Sequence, residues 1–451
     1  LHDALPILFV PTAEGKLYTP SLPQTPSNRP WIPAQFNGTD WYFELILAQN
    51  TDGTQVHPGI LRNSVTGGRL GVFFQVADQF ADIRGEVISE WINNWYLPIA
   101  ATDPSASRPS PEDGAVEILR DATLSWKAGP FAATHDVYFG TTFEDVNDAS
   151  AADPRGVLVS QGQADTTFDP EGLFEYGRTY YWRVDEVNDL PDATVFKGET
   201  WSFTAEVYAY PITDVTAQAA NQQASSPASR TVDGSGLDAS DQHGVDLKTM
   251  WITSGGLPAT IQYTFDKEYK LHELWVWNAN SEIESLMGFG AKTVAIEYST
   301  DGENWTALEN VPEFAQATGM ANYLSNTTVN FGGAAAKHVK LTISDDWGAT
   351  TMVGLSEVRF FYIPVQAFEP DPADGATGVS INATFNWRPG REATSHEVYL
   401  GTDAAAVADG TVSGHTVTDH SYTPADLMLA TDYSWKVNEV GEAGTYAGDV
   451  W

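Results

Sequence analysis

The chain reads as all-β and multidomain, and two observations predict it. Short runs rich in Val, Tyr, Phe, Thr and Trp recur along most of its length, separated by Gly, Asp, Asn and Pro turns. One of these runs also returns: Thr134-His-Asp-Val-Tyr-Phe-Gly-Thr141 reappears as Ser395-His-Glu-Val-Tyr-Leu-Gly-Thr402. Its surroundings return with it. Pro111-Glu-Asp-Gly114 answers Pro372-Ala-Asp-Gly375, and Tyr180-Tyr-Trp-Arg-Val-Asp-Glu-Val187 answers Tyr433-Ser-Trp-Lys-Val-Asn-Glu-Val440. A repeat spaced so far beyond solenoid periods means duplicated domains rather than a stacked array. Between the copies lies a different, Trp-rich segment.

In chain order, the first seven residues, Leu1-His-Asp-Ala-Leu-Pro-Ile7, resemble an in-frame translation of a common sequencing adapter and are set aside from fold reasoning. Residues 8–30 carry Pro11, Pro20, Pro23, Pro26 and Pro30 and predict an irregular lead-in. Residues 31–100 alternate as strands at Trp41–Leu47, Arg69–Val76 and Glu86–Trp95, with turns at Asn50–Gly53 and Thr66–Gly68. They predict part of a β-sandwich of no recognised family.

Residues 103–207 hold evenly spaced strands over about 100 residues, which predicts an immunoglobulin-like sandwich. The Trp126 strand and the Tyr181-Trp-Arg-Val184 strand resemble the core strands of fibronectin type III domains. Residues 365–451 repeat the pattern, and Tyr446-Ala-Gly-Asp-Val-Trp451 matches Phe196-Lys-Gly-Glu-Thr-Trp201. The first copy continues with Ser202-Phe-Thr204, so the second is expected to stop inside its last strand and the chain to be a fragment. Trp126, Trp182, Trp387 and Trp435 are expected in cores. His135 and His396, at the same place in both copies, are expected to fix packing.

Residues 212–363 place Val232-Asp-Gly234 ahead of Thr249-Met-Trp251, then Ala259–Asp266, Leu271-His-Glu-Leu-Trp-Val-Trp277, and Tyr298-Ser-Thr-Asp-Gly-Glu-Asn-Trp305. Gly354-Leu-Ser-Glu-Val-Arg-Phe360 closes the series. In that order they resemble the discoidin family, the coagulation-factor (F5/8) type C domains. That resemblance implies an eight-stranded, galactose-binding-like jelly roll between fibronectin-like sandwiches. The arrangement resembles large exported surface and polysaccharide-handling proteins of environmental bacteria such as planctomycetes.

Sixty acidic against 23 basic residues leave a formal charge of −37, which repels nucleic acid and anionic membranes. No cysteine is present, which removes thiol catalysis and Cys-ligated zinc. No apolar run reaches the roughly 18 residues a spanning helix needs. There is no Gly-x-Ser-x-Gly elbow and no His-Glu-x-x-His pair. Asp185/Glu186 and Asp345/Asp346 are adjacent carboxylates, but neighbours on a strand point to opposite faces, unlike a glycosidase pair. The chain is expected to be non-catalytic.

The resemblance further implies a structural calcium held by Asp233, Thr249 and Glu357, oxygen ligands of the kind calcium prefers. An insertion, Ser235–Lys248, separates the Asp-Gly from the Thr. It either extends that site through Asp238, Asp241 and Asp246 or is a plain acidic loop. For a glycan or polysaccharide partner, the candidates at one barrel end are Asp241, His243, Asn278, Asn280, Asp346 and Trp347. Trp347 is expected to be more exposed than Trp251, Trp275 or Trp305, as sugar stacking requires. The leading expectation is an extracellular or cell-surface carbohydrate-binding, adhesive region, with the jelly roll as head and the sandwiches as spacers. Two other readings stay open: accessory modules of a secreted polysaccharide-degrading enzyme (glycoside hydrolase, sulfatase or protease), or a structural or protein-binding module.

Overall fold

The computed structural model describes residues 7–22, 24–27, 32–65, 68–72, 84–96, 103–188, 194–348 and 352–451. These are predominantly β, in seven sheets, and form two compact units, 1–206 and 207–451. Leu1–Pro6 of the adapter-like stretch, Thr66 and Gly67 of one expected turn, and Phe73–Val76 of one expected strand lie outside the described residues.

The first unit begins differently from expectation. Ile7–Pro11 is a strand, and Ala13–Tyr18 is a helix capped by Thr12, whose hydroxyl accepts the Gly15 N–H at 2.9 Å. Phe9 and Leu22 are buried with Leu45, Leu47, Ile60, Val87 and Trp95. The Pro-rich segment is therefore part of a folded layer and not a lead-in. Trp41–Ile46, Gly59–Asn63 and Arg69–Val72 form an antiparallel meander. The expected strand at Glu86–Trp95 is instead helical, Arg84–Trp91 continuing as a π-helix over Ile92–Tyr96. Val87, Trp91 and Trp95 recur every fourth residue and so share one helix face, and the two indoles stack at 5.8 Å.

A two-sheet sandwich follows. One sheet holds Ser107–Ser110, Leu124–Lys127 and Thr167–Phe168. The other orders Leu158–Gln163, Ala132–Gly140, Thr179–Asn188, Trp201–Ala205 and Ala115–Ile118 side by side. Leu124 and Trp126 from the first meet Val137, Trp182, Val184 and Phe203 from the second. His135 is buried and its Nδ1 pairs with Glu186 Oε2. Glu186 Oε1 accepts the Gly129 N–H at 3.0 Å, and Trp126 sits edge-on to the imidazole at 5.4 Å. Asp185, facing the other way, is held by Arg183 and Gly198.

The second unit opens with eight strands in one curled sheet: β1 (Tyr210–Pro211), β2 (Val215–Ala219), β3 (Trp251–Ile252), β4 (Ala259–Asn278), β5 (Ala291–Ser299), β6 (Thr306–Ala307), β7 (Thr327–Asp346) and β8 (Gly354–Tyr362). The path runs β1-β8-β4-β7-β5-β6, with β2 on β4 and β3 on β8. β4 and β7 are 20 residues each, and register shifts bend them so that each serves both layers. Alternate residues Ile261, Tyr263 and Phe265 of β4 and Val339, Leu341 and Ile343 of β7 fill the interior.

The second sandwich has strands β9 (Phe368–Asp371), β10 (Phe385–Arg388), β11 (Ala393–Gly401), β12 (Gly414–Val417), β13 (Ser421–Tyr422), β14 (Ser434–Gly441) and β15 (Gly444–Tyr446). β9-β10-β13 face β12-β11-β14-β15 across Phe385, Trp387, Val398, Trp435 and Val437. The buried pair recurs as His396 with Glu439, which accepts the Gly390 N–H, beside Trp387. The jelly roll and this sandwich are joined by side chains. Lys270 Nζ lies 2.6 Å from both Glu392 oxygens, and Arg391 donates to the Val207 carbonyl at 2.7 Å and to the Tyr210 hydroxyl at 3.1 Å.

Candidate functional site

At one end of the jelly roll the loops 235–248, 279–290, 315–326 and 346–348 meet. They are fastened from beneath by two residues at the end of β4. Asn278 donates to the Ala291 and Ala315 carbonyls and accepts the Ala279 and Ala291 N–H groups. Asn280 donates to the carbonyls of His243, Gly244 and Met320 and accepts the Gly319 N–H. Both are fully buried. Their expected place facing a ligand is corrected: every amide atom serves the protein's own backbone, because loops without a sheet ladder need other partners for their polar groups.

His243 is buried as well. Its N–H donates to the Tyr323 carbonyl at 2.7 Å, its Nδ1 bonds the Gly244 carbonyl, and burial lowers its pKa. A Cβ at Gly236 would sit 2.0 Å from His243 Nε2, so the inserted loop closes directly over the ring. The expectation of His243 as an exposed ligand group is likewise corrected. Asp346 is buried and accepts the Gly348 N–H at 3.0 Å.

Asp241 takes a left-handed φ of 58°. Its carboxylate receives both Arg359 N–H groups at 2.8 Å, and its carbonyl receives the Trp277 indole N–H at 3.0 Å. The Arg359 hydrogen bonds hold the Asp241 pKa below its ordinary value. Arg359 also lies over the Trp277 ring. Sequence reasoning missed Arg359, although its spacing of two from Glu357 puts both on one strand face.

Trp347 is the candidate that reaches the surface. Its ring is at the boundary of exposure, 37%, whereas Trp251 is fully buried. The indole N–H donates to the Phe314 carbonyl at 2.9 Å, and Lys292 Nζ stands 5.0 Å from the ring centre. The short helix Glu284–Met287 presses its end against the same loop, where a Cβ on Gly288 would meet the Trp347 carbonyl carbon at 2.5 Å. Leu286, 82% exposed, and Ile283 stand on that helix segment, and Met320 on the neighbouring loop is exposed too. This apolar rim was not anticipated; Leu286-Met-Gly-Phe289 was the available signal.

Of the expected metal ligands, Asp233 and Glu357 come together. Glu357 Oε1 accepts the Gly234 N–H at 3.2 Å, while its Oε2 is buried with no hydrogen-bond partner. Burial, and then the charge of Asp233, push the Glu357 carboxyl up to about 8. Asp233 itself binds Arg230 at 3.0 Å and the Ser235 N–H. Thr249 ends a 3₁₀ turn, and its hydroxyl donates to the Asp246 carbonyl. Asp238 and Asp246 accept N–H groups of their own loop. Among the described residues no three acidic or histidine side chains gather as a metal cage.

The family model described as F5/8 type C domain matches residues 214–357. That segment is an F5/8 type C domain. The F5/8 type C domain is also similar in structure to solved carbohydrate-binding modules of Clostridium perfringens. The family 32 module of NanJ in complex with galactose is 21% identical, covers 34% of this chain and 98% of its own, and superposes with a TM-score of 0.26. The third family 32 module of a family 31 glycoside hydrolase is 21% identical, with 34% and 95% covered and a TM-score of 0.27. A family 89 enzyme's fifth such module, in complex with GalNAc-β-1,3-galactose, is 18% identical, with 34% and 98% covered and a TM-score of 0.26. No curated protein matches the chain significantly. An F5/8 type C domain is a binding module rather than a catalytic one. Among the described residues no helix is long and apolar enough to cross a membrane.

Proposed function

We propose that the F5/8 type C domain is a non-catalytic head that binds a glycan, carried between sandwich spacers in an exported bacterial protein. The observation that carries the reading is Trp347. It offers an indole on a loop whose underside is fixed by buried amides, so an apolar sugar face meets a surface that is already ordered. Lys292 over the ring and the exposed Asp345 beside it supply hydroxyl partners. A glycan array probed with the full chain and with Trp347→Ala tests it. Binding by the parent that falls at least tenfold in the variant is expected; no glycan retained by the parent would sink the proposal.

We further propose a structural calcium at Glu357 and Asp233. The residues fit such an ion in one respect that bears on chemistry: Glu357 keeps a buried carboxylate oxygen without a partner, next to a second carboxylate. Calcium would supply the missing positive charge, with Thr249 and loop carbonyls completing an oxygen shell. Its test is melting with and without chelator, where a lower midpoint in chelator is expected.

A protein partner is the second reading, favoured by the exposed Ile283, Leu286 and Met320 around Trp347. A parent that binds no glycan would leave this reading standing.

A further inference from the structure

The duplication supplies an internal comparison, because the two sandwiches differ at one edge. In the first, Trp201–Ala205 lies between two strands. Trp201, Ser202, Phe203 and Thr204 pair with Trp182, Tyr181, Tyr180 and Thr179, and Phe203 and Ala205 pair in parallel with Ala115 and Ile118. Phe203 is buried, its ring 5.1 Å from Phe174 and 5.6 Å from Tyr180. In the second copy the same ladder stops after one rung. Trp451 and Trp435 exchange both backbone hydrogen bonds, at 2.7 and 2.8 Å, and the edge beyond them at Ser434, Tyr433 and Asp432 has no strand opposite.

A cavity of about 750 Å³ occupies that place. Tyr433 and Leu427, the counterparts of Tyr180 and Phe174, line it together with Phe385 and Trp451. The correspondence is fixed by a shared corner: the Tyr180 hydroxyl accepts the Glu175 N–H, and the Tyr433 hydroxyl accepts the Met428 N–H. The far wall, Gly375–Ile381, answers the Ala115–Ile118 strand but forms none. Met428 and Leu429 at the rim are 63% and 81% exposed. The Tyr433 N–H makes no backbone hydrogen bond among the described residues.

We propose that this groove is a strand acceptor. Its occupant is an extended segment entering directly behind Trp451 with the polar–aromatic–polar–small pattern of Ser202-Phe-Thr-Ala205. Strand addition at an open edge draws affinity from main-chain bonds and specificity from alternate side-chain pockets. Both are in place: the Tyr433 amide is free to pair, and the Tyr433–Leu427 pocket is where an aromatic ring sits in the first copy. Entry behind Trp451 is favoured over a strand from elsewhere because Trp451 already sets register and direction. A separate strand would run into it.

The test extends the full chain after Trp451 with Ser-Phe-Thr-Ala, and in a control with Ser-Asp-Thr-Ala. Amide exchange at Tyr433 is expected to slow at least tenfold with the Phe extension, and Met428 and Leu429 to become protected, while the Asp control changes neither. Equal exchange at Tyr433 in the parent and both extended chains overturns the proposal. So does a dimer of the parent chain in which the Tyr433 amide is already protected, since a second copy would then be the occupant.

Discussion

Asp241 and Arg359 form a bidentate ion pair that latches the inserted loop to the closing strand of the jelly roll. Side chains that are 46% and 28% exposed gain little from charge alone, so its worth is about 1 kcal/mol. Asp241→Asn is expected to lower stability by about that much, and Arg359→Gln likewise. A double-mutant cycle by urea unfolding checks it. Losses that simply add would mean the two residues do not act as a pair.

Glu357 sets a pH dependence. Folded, its carboxyl ionises at about 8, against an ordinary 4.5, so the folded protein holds a proton that the unfolded chain releases. In chelator, the contribution is full below about pH 4.5 and is lost as pH rises through about 8. The melting midpoint should fall across that window, and Glu357→Gln should flatten the fall. The proposed calcium needs the carboxylate ionised, so its affinity should strengthen as pH rises toward 8. Calcium titrations at three pH values read this directly.

The duplicated His–Glu pairs should be costly to break one side at a time. Glu186→Ala or Glu439→Ala leaves a buried imidazole and a backbone N–H without their acceptor, at a cost of about 3 kcal/mol. The loss should stay in the sandwich that carries the change. Exchange of the Trp182 and Trp435 amides, one in each core, distinguishes the copies.

Gly236 lies against the His243 ring, so Gly236→Ala should destabilise the barrel end by roughly 1–3 kcal/mol through overpacking. In a His243→Ala background the same change should cost much less. Thermal melting of the four proteins decides it; an equal cost in both backgrounds would remove His243 as the cause.

The β character, the duplication and the type C segment were legible because alternation, turn residues and a specific strand order are local properties. Glu86–Trp95 misled because its apolar residues fit a period of two nearly as well as one of four, and only burial of Val87 and Trp95 together separates them. At the site, sequence reasoning could place Asn278, Asn280 and His243 on a barrel end but not decide which way they face. That depends on four loops distant in the chain whose carbonyls need donors. Trp347 was legible because its loop has Gly348 behind it and no ladder to bury the ring.

The Lys270–Glu392 pair and the Arg391 contacts to Val207 and Tyr210 have a mechanical consequence. Tension applied at the second sandwich does not first take up slack in a tether. It reaches the jelly roll through side chains that clasp both bodies, so a bound surface would feel the pull as torque on its captor rather than as stretch of a linker.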